Sequence, residues 1–520
     1  MSGWRCAALG TALLCLGSYL ALGPGRPRVV DEYMVWFQAR GLLARGELAV
    51  PEAERLGIWF GKRARDGQPH APYGPAHALV LAPLVAAGPA FARALGVPPA
   101  QADLVEPFPA TLLSSLAAAL AAGLLAALAV RLGAPPRGAV LLGLALGLGS
   151  SLATYAGTLF SEPLTSLLLL GALAALERAG RRVAASGPAA AVAGSEQHAA
   201  RPAAGLAEPA ASAGAGWAAL AGSFLGVALL MRVAHAIAAP AFCLGFALLP
   251  GRTAQRLRRT AACAAPVAAA LALALARNAS LYGHPLDWGY PDMAELGHPV
   301  SSFQTPLLVG LYGFVLSPGK SVLLYAPAVV LGLCGLRQLV RRRLAVAVVA
   351  GGVALSYLLF YARFTHWEGG YCYGPRYLVP VLGLVLVGAA PLLGRRRARG
   401  LLVALLVLGV LVNLPGLLTS FLEEQRGSGR YYDAALCYRL DYPGALAQAR
   451  LAVHYLERAL AEGPLAAPLG KGLDLGVLHL RRAGASPLVG WALVGLAAIL
   501  WVVGLLAVRS CGREPEGARP

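Results

Sequence analysis

Residues 4–22 read WRCAALGTALLCLGSYLAL, and a little further on, at residues 30–33, the chain reads Val-Asp-Glu-Tyr. The first stretch is long and apolar enough to cross a hydrocarbon layer of ~30 Å as a helix. The second sets two adjacent carboxylates, Asp31 and Glu32, at the mouth of that span, where charge is costly and seldom held without a partner or a task. Together they predict a helical membrane protein with an acidic site at the end of its first span.

Composition agrees with this reading. Of 520 residues, 58% are hydrophobic and 13% charged, and the mean hydropathy of +0.63 exceeds what a soluble core uses. Apolar windows of ~20 residues recur, which suits spanning helices; barrel strands would give ~10-residue alternating segments. The net charge of +19 comes from arginine clusters set between apolar runs. That is the pattern of cytoplasmic loops under the positive-inside rule, and it argues against nucleic acid as a partner. Lysine occurs only at Lys62, Lys320 and Lys471, and the bias to Ala, Gly, Leu and Arg suggests a bacterial coding sequence.

Topology follows from counting spans between the arginine clusters. With Arg5 inside, Asp31 lies outside, and residues 32–46 read as an interfacial helix. Ala76–Leu95 is apolar but carries Pro83 and Pro89. Setting it on the membrane, or dipping into it, brings Arg131, Arg178, Arg256, Arg341, Arg395 and Arg509 to one side. The expected fold is an all-α polytopic bundle of about twelve transmembrane helices, multi-pass in the plasma (inner) membrane, with both termini cytoplasmic. The N-terminal run lacks a small-residue cleavage site and is kept as an anchor.

The expected organisation is 1–178 for the N-terminal helices, including a first outer loop over 24–106, then 179–215 for a flexible cytoplasmic linker rich in Ala, Gly, Ser and Pro. Residues 216–418 form the central helices with outer loops at 280–318 and 362–375, 419–486 an outer helical segment, and 487–520 the last helix and a cytoplasmic tail. Cys372 and Cys437 both fall on outer segments, where an oxidising compartment permits a disulfide.

The same count collects the unusual polar residues on the outer ends of the spans: Asp31 and Glu32, Glu162 before Pro163, Arg232 with His235, Lys320, and the run from Arg363 to Tyr377 (RFTHWEGGYCYGPRY). Acids, bases and aromatics at one water–lipid boundary are what an active site there requires. Each also has a plain reading. Asp31 suits a solvated loop acid beside Arg28, and Glu162 a helix-start acid favoured by the dipole. Arg232 and His235 suit a buried pair, Arg363 and Arg376 juxtamembrane anchors, His366 a structural histidine, and the Trp and Tyr residues an interfacial belt.

The first span followed by Asp-Glu and an aromatic helix, then Tyr73-Gly74-Pro75 before an apolar run, resembles the GT-C superfamily of polyprenyl-phosphate-dependent glycosyltransferases. Protein mannosyltransferases and aminoarabinose transferases are the nearest in kind. Ser317-Pro318-Gly319-Lys320 and Trp367 to Pro380 are similar to family-39-like bacterial members. The resemblance implies an inverting transfer from a polyprenyl-phosphate sugar to an acceptor hydroxyl on a lipid, polysaccharide or protein. It implies Asp31 as general base, with Glu32 and Glu162 as supporting acids. Arg232, Lys320, Arg363 and Arg376 are implied as phosphate-binding cations, and Trp36, Tyr73, His366, Trp367, Glu368 and Tyr373 as sugar or acceptor contacts. Some members of the superfamily use a divalent cation and others do not, and no acidic cluster in this sequence decides between them.

Two motif lookalikes carry no function here. Gly319-Lys320-Ser321 lacks the earlier glycine of a phosphate-binding loop, since that position is Phe314, and Asn278-Ala279-Ser280 abuts a span end. The competing class is a transporter or lipid flippase, which places polar residues and broken helices at the bilayer midplane and often repeats its halves.

Overall fold

The computed structural model describes residues 3–185, 214–293, 298–299, 302–427, 434–440, 444–468 and 470–511. Most of the expected linker, part of the expected outer helical segment and the C-terminal tail lie outside the described residues.

The described residues form a bundle of helices with two short two-stranded ribbons, Lys62–Arg63 with Pro69–His70 and Asp292–Met293 with His298–Pro299. Among the described residues eight helices are long and apolar enough to cross a membrane: Gly3–Leu22, Pro75–Ala94, Pro99–Arg131, Glu162–Ala185, Thr253–Tyr282, Leu344–Arg363, Arg396–Leu418 and Pro487–Ser510. Four shorter apolar helices, Pro136–Gly147, Ala215–Met231, Val233–Leu248 and Arg376–Leu392, fill the gaps between them. With Val329–Arg342, these reproduce in order the segments expected to span.

The exception is Pro75–Ala94. Expected to lie on the membrane or dip into it, it is one 20-residue helix with Pro83 and Pro89 inside, long and apolar enough to cross. Each proline leaves one carbonyl a turn earlier without its amide, a loss that neighbouring helices make tolerable in apolar surroundings. The helix packs on Val30–Arg45, Phe108–Arg131 and Ala215–Met231. Val30–Arg45, in the stretch expected as an interfacial helix, is a helix packed into the molecule, with Met34, Val35, Trp36, Phe37, Gln38 and Ala39 all buried.

Small residues let backbones approach closely, as in other membrane bundles. A Cβ on Gly409 would lie 2.1 Å from the Gly149 carbonyl oxygen, and one on Gly388 would lie 2.2 Å from that of Gly332. The last helix, Pro487–Ser510, packs on Gly3–Leu22 and turns Trp491, Ile499, Val502 and Leu506 outward. An apolar outer face of this kind suits a lipid surround.

Candidate functional site

The helix Val30–Arg45 opens with Asp31 and Glu32 in its first turn, where carboxylates meet the positive end of the helix dipole. The two side chains then part. Glu32 is fully buried, its oxygens accepting the backbone N–H groups of Arg28 at 3.0 Å and Leu159 at 2.7 Å. Burial outweighs those bonds and pushes its carboxyl up to about 7. Asp31 keeps 29% of its side chain exposed and faces a pocket with roughly 280 Å³ of space, counting that open to solvent. Tyr73, His77, Ser161, Arg232 and Arg376 also line it.

Arg376 ties the pocket together. Its Nη1 donates to Asp31 Oδ2 at 2.9 Å and its Nε to Glu162 Oε1 at 2.8 Å, while its guanidinium lies 4.2 Å from the centre of the Phe160 ring. A planar fork with donors on two edges can serve two carboxylates at once, which an ammonium group cannot do in the same geometry. Arg232 approaches the same Glu162 oxygen at 3.7 Å and lies 5.4 Å over the Tyr73 ring, whose hydroxyl donates to Asp31 Oδ1. The other Glu162 oxygen is buried without a hydrogen-bond partner. Burial pushes the Asp31 carboxyl up, but the charges of Arg376 and Arg232 and the Tyr73 bond outweigh it and hold it below its ordinary value.

Local sequence explains the convergence. Arg232 sits in extended backbone between Ala215–Met231 and the turn Val233–Ala238. The His235 ring, held by Thr165 at 3.3 Å and Tyr357 at 2.8 Å, fixes that turn against two other helices. Gly74 brings Tyr73 to Arg232: its N–H donates to the Met231 carbonyl at 3.1 Å, and a Cβ there would lie 2.0 Å from the Leu230 oxygen. Only glycine allows that approach. Arg376 follows a loop in which Gly369, Gly370 and Gly374 all take positive φ.

The other expected site residues lie elsewhere. Lys320 is buried and donates to the Cys372 carbonyl at 2.9 Å, with the Cys372 sulfur at 3.0 Å. Cys372 and Cys437 are both thiols. Among the described residues Arg363 reaches only the Phe303 carbonyl, at 3.4 Å, in an exposed position. His366 lies 3.5 Å from Glu368, and Trp367 is buried edge-on to Phe314. The Tyr373 hydroxyl donates to the Val412 carbonyl, and Trp36 is buried beneath Arg40. None of these, nor Glu32, lines the Asp31 pocket. His77 does line it, although sequence reasoning passed over it; a histidine in the first turn of an apolar helix is the signal that could have found it.

Among the described residues no three of His, Cys, Asp and Glu are grouped as a bound cation would need. The two acids that meet here, Asp31 and Glu162, are both committed to Arg376. The donor set therefore does not fit a metal.

Solved structures similar to this chain include two of one protein. ArnT from Cupriavidus metallidurans bound to undecaprenyl phosphate matches 97% of this chain and 78% of its own, at 16% identity and a TM-score of 0.47. The same protein in the apo state matches 98% and 76%, at 15% identity and a TM-score of 0.45. No family model and no curated protein matches the sequence.

Proposed function

We propose that the protein is a membrane-embedded, GT-C-type glycosyltransferase that moves a sugar from a polyprenyl-phosphate donor to an acceptor hydroxyl at the outer face, with inversion. One observation carries the reading: a partly exposed carboxylate, Asp31, shares a small pocket with two guanidinium groups, Arg232 and Arg376. Attack by a hydroxyl needs a base within hydrogen-bond reach, and departure of a lipid phosphate needs cations.

In this mechanism Asp31 accepts the proton of the acceptor hydroxyl as its oxygen bonds to the anomeric carbon. The bond from that carbon to the phosphate oxygen breaks, and the electron pair leaves with the phosphate. The lipid phosphate gains one negative charge in the step, and Arg232 and Arg376 receive it. Arg232 is the less committed of the two, being 3.7 Å from Glu162. A phosphate that draws the arginines toward itself weakens their hold on Asp31 and raises the carboxylate's basicity when the donor is in place. Glu162 keeps the arginines positioned. Lys320 and Arg363 have no part in the phosphate site of this proposal, because each is engaged away from the pocket.

The test is release of free polyprenyl phosphate by membranes supplied with a panel of lipid-linked sugars. Wild type is expected to release it from at least one of them, and Asp31→Asn to slow release by at least ~100-fold with normal membrane insertion. Full activity in Asp31→Asn removes Asp31 from the role of base.

A further inference from the structure

We propose that Tyr73 guards the base: its hydroxyl occupies, on Asp31 Oδ1, the place that the acceptor hydroxyl takes in the reaction, and excludes water from it until the acceptor displaces it. The inference rests on the glycosyl-transfer reading above and adds a residue that prevents loss of the donor.

The two oxygens of Asp31 are held unequally. Oδ2 accepts from Arg376, whose Nε bonds Glu162 and whose plane is packed on Phe160, so freeing Oδ2 means breaking a charged pair with a guanidinium that is held in place from two other sides. Oδ1 accepts from one neutral phenol, and yielding it costs one hydrogen bond. An incoming hydroxyl must come within about 3 Å of a carboxylate oxygen to give up its proton, and Oδ1 is the oxygen it can reach. Burial, together with the charge of Asp31, holds the Tyr73 phenol well above its ordinary value, so the phenol stays a proton donor and cannot serve as a base itself.

The place needs guarding because the Asp31 side chain is 29% exposed and the pocket opens to solvent. A water molecule on Oδ1 would undergo the same step as the acceptor. Its proton would pass to Asp31, its oxygen would bond to the anomeric carbon, and the bond to phosphate would break, giving free sugar and polyprenyl phosphate. Exclusion of water from a reactive donor is a recurrent task of such sites. Tyr73 is built to hold position, with its ring under Arg232 and the next residue, Gly74, bonded to the Met231 carbonyl.

The test is Tyr73→Phe in the purified full-length protein, with a lipid-linked sugar that the wild type turns over. The substitution keeps the ring beneath Arg232 and removes only the hydroxyl. Without acceptor, release of free sugar is expected to rise about tenfold. With acceptor, the acceptor KM should fall, because no phenol has to be displaced. Tyr73→Met, which removes the hydroxyl by another route, should raise release likewise, and Asp31→Asn added to Tyr73→Phe should abolish the increase. Unchanged or slower release overturns the proposal, as does a fall in kcat at constant KM, which would make Tyr73 a participant in transfer. If the wild type transfers sugar and only the rise in hydrolysis is missing, the guard alone fails. If the wild type uses no lipid-linked sugar, both readings fall.

Discussion

Arg376 serves two carboxylates that lie 345 and 214 residues away along the chain, Asp31 and Glu162, and so decides where each of them points. Lysine keeps the charge but cannot bridge both, so Arg376→Lys is expected to lower polyprenyl phosphate release by roughly 10- to 100-fold. Arg363→Gln should leave it within twofold, since that side chain is exposed and reaches only a carbonyl. The acid limb of kcat/KM gives a second test. Asp31 has its carboxyl held down, so it is ionised above its ordinary value of 3.8 and titrates only below it. Any stability it lends through Arg376 is likewise present at neutral pH and lost as pH falls through that lowered value. The activity of the free enzyme should therefore show no loss attributable to Asp31 between pH 8 and 5, whereas Arg376→Lys should move the acid limb upward. The sequence marked Asp31, Glu162, Arg232 and Arg376 as charges too costly to be idle at span ends. It could not show that Lys320 and Arg363, equally conspicuous, are spent on backbone carbonyls, because hydropathy places a residue at a depth and leaves its direction around the helix open.

At the scale of elements, the loop that leads into Asp31 is strapped to a segment near the C-terminus by a buried charge network. Asp474 is fully buried and accepts from Arg28 at 2.6 Å, from Arg26 at 2.9 Å and from His479 at 2.6 Å, while Arg28 also donates to the carbonyls of Gly416 and Leu417. Three residues on from Arg28, the chain reaches Asp31. Burial pushes the Asp474 carboxyl up, but Arg26 and Arg28 outweigh it and hold it well below its ordinary range. Its contribution is accordingly complete above pH ~4 and disappears only as the solution becomes strongly acidic. Asp474→Asn leaves two arginines without their anion in a buried site, a loss of about 3 kcal/mol. It should lower the melting temperature in detergent and open the region around residues 463–475 to protease. If melting is unchanged, the network is no strap. Asp474 gave no signal in the sequence, because a lone acid in a polar outer segment is ordinary until its arginines are seen. Pro75–Ala94 shows the reverse case: its prolines were visible, and the neighbouring helices that let it continue were not.

For the whole molecule, the two ends of the bundle differ chemically. One end holds Glu177 with Arg131 and Arg181, arginines 178 and 182 over Trp217, and the exposed cluster at 395–397. The other end holds the Asp31 pocket, the Asp474 network and the ribbon of residues 62–70, tied to the end of Thr253–Tyr282 by the Arg65 N–H on the Leu281 carbonyl. The order of apolar segments was legible because each span has to satisfy its own backbone in lipid, which leaves an unmistakable length of apolar sequence. Which end faces the cytoplasm rests on the arginine distribution. The expectation is that Asp66→Cys, at an exposed turn of that ribbon, reacts with an impermeant thiol reagent only from outside intact cells, and Arg397→Cys only after the membrane is opened. The background cysteines, among them Cys334, which is exposed, have to be replaced first. The opposite labelling pattern would turn the pocket toward the cytoplasm, where Asp31 could still be a base but an acceptor on the outer leaflet could not reach it. Labelling of both positions from one side would mean either that Pro75–Ala94 crosses as well, or that one of the other helices between them does not, and Pro75–Ala94 and the short Pro136–Gly147 would then be the first to re-examine.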